Sequence, residues 1–226
     1  MQKDNINKEG IIKDIKNNIS EISKEFQKGF ELLERYPKSI TIFGSARLSS
    51  DSSHYKEAQN LSERISKETD YAVLTGGGPG IMEAANRGAH SVNGKSIGIN
   101  ITLPREQHIN QYVSDSIALN YFFVRKSLMV FASECYIFFP GGFGTFDELF
   151  GILTLLQTSK IPKVPVILFG KDFWNPVKEL IEAQMLNRHH TINEDDLNLF
   201  IITDSMDRVI KIIKEAPVSE WWNIID

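Results

Sequence analysis

Residues 140–148 read PGGFGTFDE and place three glycines ahead of a carboxylate, Glu148, at a spacing suited to phosphate and sugar. A second cluster, GGGPG at residues 76–80, has the same character. A strand that turns directly into a helix through glycines presents several backbone N–H groups at the positive helix end. Glycine serves there because the backbone must take positive φ or let a ligand approach closely. One such turn is explained by a tight strand-to-helix connection. Two of this density, each followed by charged residues, point to a nucleotide. Arg125 and Lys126 add basic chemistry at the start of an otherwise apolar stretch.

The common nucleotide motifs do not account for these turns. A Walker loop needs Lys and then Ser or Thr after its last glycine, and neither Gly80-Ile81-Met82 nor Gly144-Thr145-Phe146 supplies them. A dinucleotide fingerprint starting at Gly76 and Gly78 requires glycine at Ile81; one starting at Gly142 and Gly144 requires it at Asp147. Glu148 is expected in the first turn of the helix after PGGFGT. A carboxylate there complements the helix dipole, but Asp147 serves that purpose equally well and leaves Glu148 for chemistry.

The elements that must position these groups follow from hydrophobic patterning. Short apolar runs at residues 39–43, 71–75, 96–101, 136–139 and 164–169 read as strands. Helical spacing covers residues 53–67, 81–89, 122–133, 146–157, 173–187 and 206–215. Strands apolar along their whole length, alternating with helices, indicate a parallel sheet covered on both faces, a Rossmann-like α/β fold. In such sheets ligands bind beyond the carboxyl ends of the strands. Gly44-Ser45, residues 76–80 and residues 140–145 all follow strands, so they are expected along one edge. Ahead of this domain (residues 37–226), residues 1–36 form a helical extension. There Ile12, Ile15, Ile19, Ile22, Phe26, Phe30 and Leu33 share one face, which packs either on its own domain or on a partner subunit. Pro37 ends that helix.

Composition limits the function classes. The 226-residue chain carries a formal net charge of −4, which argues against a nucleic-acid surface and leaves phosphate recognition to a few local groups. The single Cys135 excludes an internal disulfide, and its apolar setting reads as a buried structural thiol. His54, His90, His108, His189 and His190 lack metal-ligand spacing, so no metal or cofactor is expected, and His189-His190 read as surface residues. The N-terminus has no signal-peptide core and no run reaches the roughly 18–20 apolar residues of a membrane span, so the chain reads as soluble and cytoplasmic.

PGGFGTFDE resembles the PGGxGTxxE signature of the LOG ("Lonely Guy") phosphoribohydrolases. GGGPGIMEAANRGA is similar to that family's GGGxGxM-E-A-xx-GA segment, and FFVRK to its arginine–lysine helix start. FGSAR at residues 43–47 is similar to the first-strand turn of its longer members. The resemblance runs in order from about residue 40 to 170. It implies hydrolysis of the N-glycosidic bond of a nucleoside 5′-monophosphate, AMP or an N6-modified AMP (a cytokinin nucleotide), by a homodimer or higher homo-oligomer. It implies Arg125 and Glu148 as the catalytic pair and Gly141, Gly142, Gly144 and Thr145 as the phosphate turn. Gly77, Gly78, Gly80 and Glu83 would face ribose and base, with Gly44, Ser45 and Lys126 completing the substrate site. The alternative on the same fold is a non-catalytic nucleotide or molybdenum-cofactor carrier. The segments before residue 40 and after about residue 187, including Trp221 and Trp222, have no counterpart in the short members.

Overall fold

The computed structural model describes residues 8–102 and 109–219, and the side chains of residues 17–102 and 109–219. His108, Trp221 and Trp222 lie outside the described residues. The chain runs α1 (Lys8–Leu33), β1 (Ser39–Phe43), α2 (Ser53–Glu68), β2 (Ala72–Thr75), α3 (Ile81–Ser91) and β3 (Ser96–Ile101). It continues with β4 (Asp115–Leu119), α4 (Phe122–Phe131), β5 (Ser133–Phe138), α5 (Phe143–Gln157), β6 (Val166–Phe169), α6 (Lys171–Leu180), β7 (Ile201–Thr203) and α7 (Met206–Glu215). All strand pairs are parallel, in the order β4-β3-β2-β1-β5-β6-β7. This is the Rossmann-like α/β sheet that the alternation implies. Every residue of β1, β2, β3, β5 and β6 is buried, as strands covered on both faces require.

The strand order reverses between β1 and β5. The chain winds one way from β1 to β4 and the other way from β5 to β7, so the loops after β1 and β5 part there and leave a crevice. Two apolar clusters fill the layers on either side of the sheet, one around Leu74, Phe138 and Trp174, the other around Ile42, Ile81 and Phe139. Cys135 is buried within the second, and burial pushes its thiol well above the ordinary range.

Six elements differ from the sequence expectation. β4 is an added edge strand whose exposed positions alternate with half-buried ones, and its sequence DSIAL offers no apolar run to announce it. β7 has three residues. α5 begins at Phe143, because Gly142 takes the position before the helix and the first intrahelical bond runs from Phe146 N–H to Gly142 C=O (3.1 Å). Glu148 therefore sits in the second turn. α4 ends at Phe131 and β5 starts at Ser133, so the run FASECYIFF passes into the sheet earlier than expected. The helix after β6 changes to π-helical hydrogen bonding over Ile181–Arg188, and His189 and His190 are exposed.

The α1 helix packs on its own chain. Leu32 and Leu33 belong to the first core cluster, and Ile22, Phe26 and Phe30 pack against it, whereas Ile19 is 61% exposed. Among the described residues no helix is long and apolar enough to cross a membrane.

Candidate active site

Three strand-to-helix turns meet at the crevice and are tied to one another. Ser45 N–H donates to Pro140 C=O (3.0 Å), and Ile81 N–H donates to Ser45 C=O (3.0 Å). The turns after β1, β2 and β5 are thus one hydrogen-bonded unit along the carboxyl edge of the sheet, as their positions after strands imply. Gly80 is needed in it on two counts. Its φ is +69°, and a Cβ there would run into the backbone of Ser45 and Ala46.

A cavity of about 740 Å³ opens above this unit. Its floor and walls include Gly44, Ser45, Gly142, Gly144, Thr145, Arg125 and Glu148. A side chain at Gly142 or Gly144 would meet nothing within 4 Å, so the turn is open toward the cavity. The first bond of α5 starts at Phe146, which leaves the N–H groups of Phe143, Gly144 and Thr145 without an i−4 acceptor at the positive helix end. This is the arrangement that receives phosphate.

Arg125 reaches the cavity from the first turns of α4. Its Nε–H donates to Ile99 C=O at the end of β3 (2.9 Å), which fixes the plane of the guanidinium. Gly76 gives that group its room, since a Cβ there would collide with the guanidinium nitrogen. Arg125 Nη1 lies 3.8 Å from Glu148 Oε1, and both side chains are largely buried, 14% and 10% exposed. The pair is too long for a hydrogen bond and too loose to offset desolvation. Burial accordingly raises the Glu148 carboxyl above its ordinary value; Arg125 and Lys126 pull it down, and Asp147 adds to the rise. Burial likewise lowers Arg125, opposed by Glu148. Glu148 Oε2 is buried without a hydrogen-bond partner among the described residues. A buried acceptor left in that state costs about 1–3 kcal/mol, the kind of cost that functional sites carry.

The other expected site residues stand behind this wall. Gly77, Gly78 and Gly80 shape the turn but do not line the cavity, and Glu83 accepts from Tyr55 O–H (2.8 Å) on α2. Gly141 is packed against the Thr145 side chain. Lys126 binds Asp147 through its carboxylate (2.9 Å) and its carbonyl (3.0 Å), which braces α4 against α5.

Sequence reading did not single out Arg47, Met82, Phe122 or Phe143, all of which line the cavity. Arg47 had a signal, a basic residue three positions after a glycine turn at the same sheet edge. A buried amide network was also missed. Asn86 accepts from Thr75 O–H (2.6 Å) and donates to Ser96 Oγ (2.9 Å), while Asn110 Nδ2 donates to Gly77 C=O and Gly78 C=O (both 3.1 Å). These amides hold the residue 76–80 turn in place. Among the described residues no cluster of three or more His, Cys, Asp or Glu side chains is gathered for a metal.

The model of the family described as possible lysine decarboxylase matches residues 82–213, more than half of the chain. A probable cytokinin riboside 5′-monophosphate phosphoribohydrolase of Oryza sativa subsp. japonica is 29% identical over 135 residues, 59% of this chain and 54% of that protein. The chain thus spans about half the length of that relative. A cytokinin riboside 5′-monophosphate phosphoribohydrolase of Arabidopsis thaliana is 29% identical over 198 residues, 85% of this chain and 90% of that one. Among solved structures, the molybdenum cofactor binding protein of the phototrophic bacterium Rippkaea orientalis is similar with a TM-score of 0.60 and 25% identity, over 84% of this chain and 98% of that one. The chain belongs to the possible lysine decarboxylase family, which is the family of the LOG phosphoribohydrolases.

Proposed function

We propose that this protein hydrolyses the N-glycosidic bond of a nucleoside 5′-monophosphate, AMP or an N6-modified AMP, to the free base and ribose 5-phosphate. The observation that carries the reading is the Glu148 carboxylate, buried at the cavity wall with one oxygen unpartnered, in a cavity it shares with the open turn at Gly142 and Gly144. Phosphate seats on the N-terminal amides of α5, with Arg47 at the same cavity supplying positive charge. The sugar then lies beside Glu148. Cleavage develops oxocarbenium character at the anomeric carbon. The Glu148 anion offsets that charge, holds a ribose hydroxyl and accepts a proton from the attacking water. The water oxygen bonds the anomeric carbon as the bond to the base breaks, and the departing base takes a proton from solvent. Arg125 stays protonated and orients Glu148 and substrate.

A decarboxylase built on a lysine Schiff base is not what this cavity fits. No lysine lines it among the described residues, and Lys126 is held by Asp147. The second reading, a nucleotide or molybdenum-cofactor carrier, is favoured by the likeness to the Rippkaea orientalis protein. It needs the glycine turn but gives the Arg125–Glu148 pair no task.

The phosphate assignment is tested by comparing AMP with adenosine. Base release, followed chromatographically, is expected from AMP and at least about 100-fold more slowly from adenosine, because binding energy at the phosphate is spent on the reacting sugar. Equal rates from both would remove the phosphate from the reading.

We also propose a homo-oligomer, dimer or higher. Phe123 and Phe150 are 53% and 38% exposed on α4 and α5, Phe122 and Phe143 are 62% and 97% exposed at the cavity rim, and an interface across these two helices would cover them. Light scattering should give a multiple of the 25.7 kDa chain mass; a monomer at micromolar concentration would contradict it.

A further inference from the structure

We infer that Glu25, on α1, is a positioning residue for Arg125: its carboxylate holds the turn from which α4 starts and so sets the guanidinium beside Glu148. The inference rests on the reading of Arg125 and Glu148 as the reacting pair.

Glu25 is 9% exposed, an unusual depth for a carboxylate on a helix otherwise rich in charge. Among the described residues its hydrogen bonds go to one place, about 95 residues away in the chain. Oε1 accepts from Asn120 N–H (2.8 Å) and from Asn120 Nδ2 (2.7 Å), and Oε2 accepts from Tyr121 N–H (3.3 Å). Tyr121 is the residue before α4, and its carbonyl accepts the first helical bond, from Arg125 N–H (3.1 Å). The acid therefore caps the positive end of α4 from outside the helix. One turn further along α1, Gly29 lies against Leu128 of α4, and a Cβ there would strike the Leu128 methyls. Just past the end of α1, Arg35 and Tyr36 O–H bind Asp115 of β4 (2.8 and 2.9 Å). α1 and the turn after it thus grip the β4–α4 unit at three points. Among the described residues the Arg125 side chain donates one hydrogen bond, to the Ile99 carbonyl, and the start of α4 sets where that side chain sets out toward Glu148.

A merely structural Glu25 and a positioning Glu25 separate in the state of Glu148. The charged groups that act on Glu148 are Arg125, Lys126 and Asp147; Lys126 stands beside Arg125 on α4 but is tied to Asp147 of α5, which leaves Arg125 to follow the turn that Glu25 holds. The test uses the full chain as wild type, Glu25→Gln and Glu25→Ala. It follows the Glu148 carboxyl by carbon NMR titration, assigned by its loss in Glu148→Gln, together with kcat and KM for AMP. Glu25→Ala is expected to raise the Glu148 midpoint, because Arg125 no longer pulls it down. It should lower kcat about 10- to 100-fold, as a small misplacement of a reacting group does, while leaving KM within about threefold. Glu25→Gln keeps one acceptor oxygen for Asn120 and should fall between the two; it carries the test if the alanine variant does not fold. A folded variant with the wild-type Glu148 midpoint overturns the inference. If the wild type releases no base, the hydrolase reading fails, and the NMR midpoint alone still decides Glu25: a rise supports the inference and an unchanged value overturns it.

Discussion

Glu148→Gln is expected to cut turnover by at least about 100-fold while making the folded chain no less stable at neutral pH. Loss of the proton-accepting and charge-stabilising carboxylate should lower base release from AMP about 100- to 10,000-fold. Stability should move the other way because burial holds the Glu148 carboxyl above 4.5 in the folded chain. A folded-state value raised above the unfolded one means that the native state holds the proton more tightly. The associated stabilisation is present in full below about pH 4.5 and is lost as pH rises through the folded value. The glutamine variant has no such loss. Denaturant midpoints of the two proteins should therefore diverge in favour of Glu148→Gln from acid to neutral pH. A variant clearly less stable than wild type at pH 7 would mean that the ion pair with Arg125, not burial, dominates this carboxyl.

Arg125→Ala is expected to be nearly as damaging to activity, by a different route. The guanidinium lowers the Glu148 carboxyl, opposing burial. Without it the carboxyl rises further, so the acid limb of the pH–rate profile should move to higher pH, and rates should fall about 100- to 1000-fold, the usual cost of a lost preorganised charge. The variant also leaves Ile99 C=O without its donor, a cost of about 1–3 kcal/mol measurable in urea. Arg125→Lys should not restore activity, since an ammonium cannot donate to Ile99 and face Glu148 as one rigid fork. An Arg125→Ala protein with the wild-type pH profile would break the link between the two residues.

Local sequence carried the sheet and its ligand edge because both are written in short segments. SITIF and VILF carry apolar residues toward both faces, SIGINI has an isoleucine at every second position, and the glycine turns at residues 44–45, 76–80 and 140–145 each follow a strand. β4 was not legible, because an edge strand half open to solvent has no apolar run and its register is set by β3 alone. The early start of α5 was hidden by Gly142 and Gly144, poor helix residues that suit a helix end open to a ligand. Arg125 and Glu148 could be picked from their settings, but their 3.8 Å approach depends on α4 and α5 meeting across the switch point. Glu25 and Asn86 were beyond reach for the same reason. Each is an ordinary polar residue on a helix until the chain brings its partners to it, Asn120 from 95 residues away and Ser96 from the next strand.

The central claim is that the cavity beneath the open α5 turn cleaves its nucleotide and does not merely hold it. AMP in large molar excess over the wild-type protein, resolved by chromatography after incubation, answers that directly. Equal amounts of adenine and ribose 5-phosphate should appear together and exceed the protein over many turnovers, and Glu148→Gln should form both at least about 100-fold more slowly. Recovery of intact AMP that had been bound by the protein would contradict it and leave the carrier.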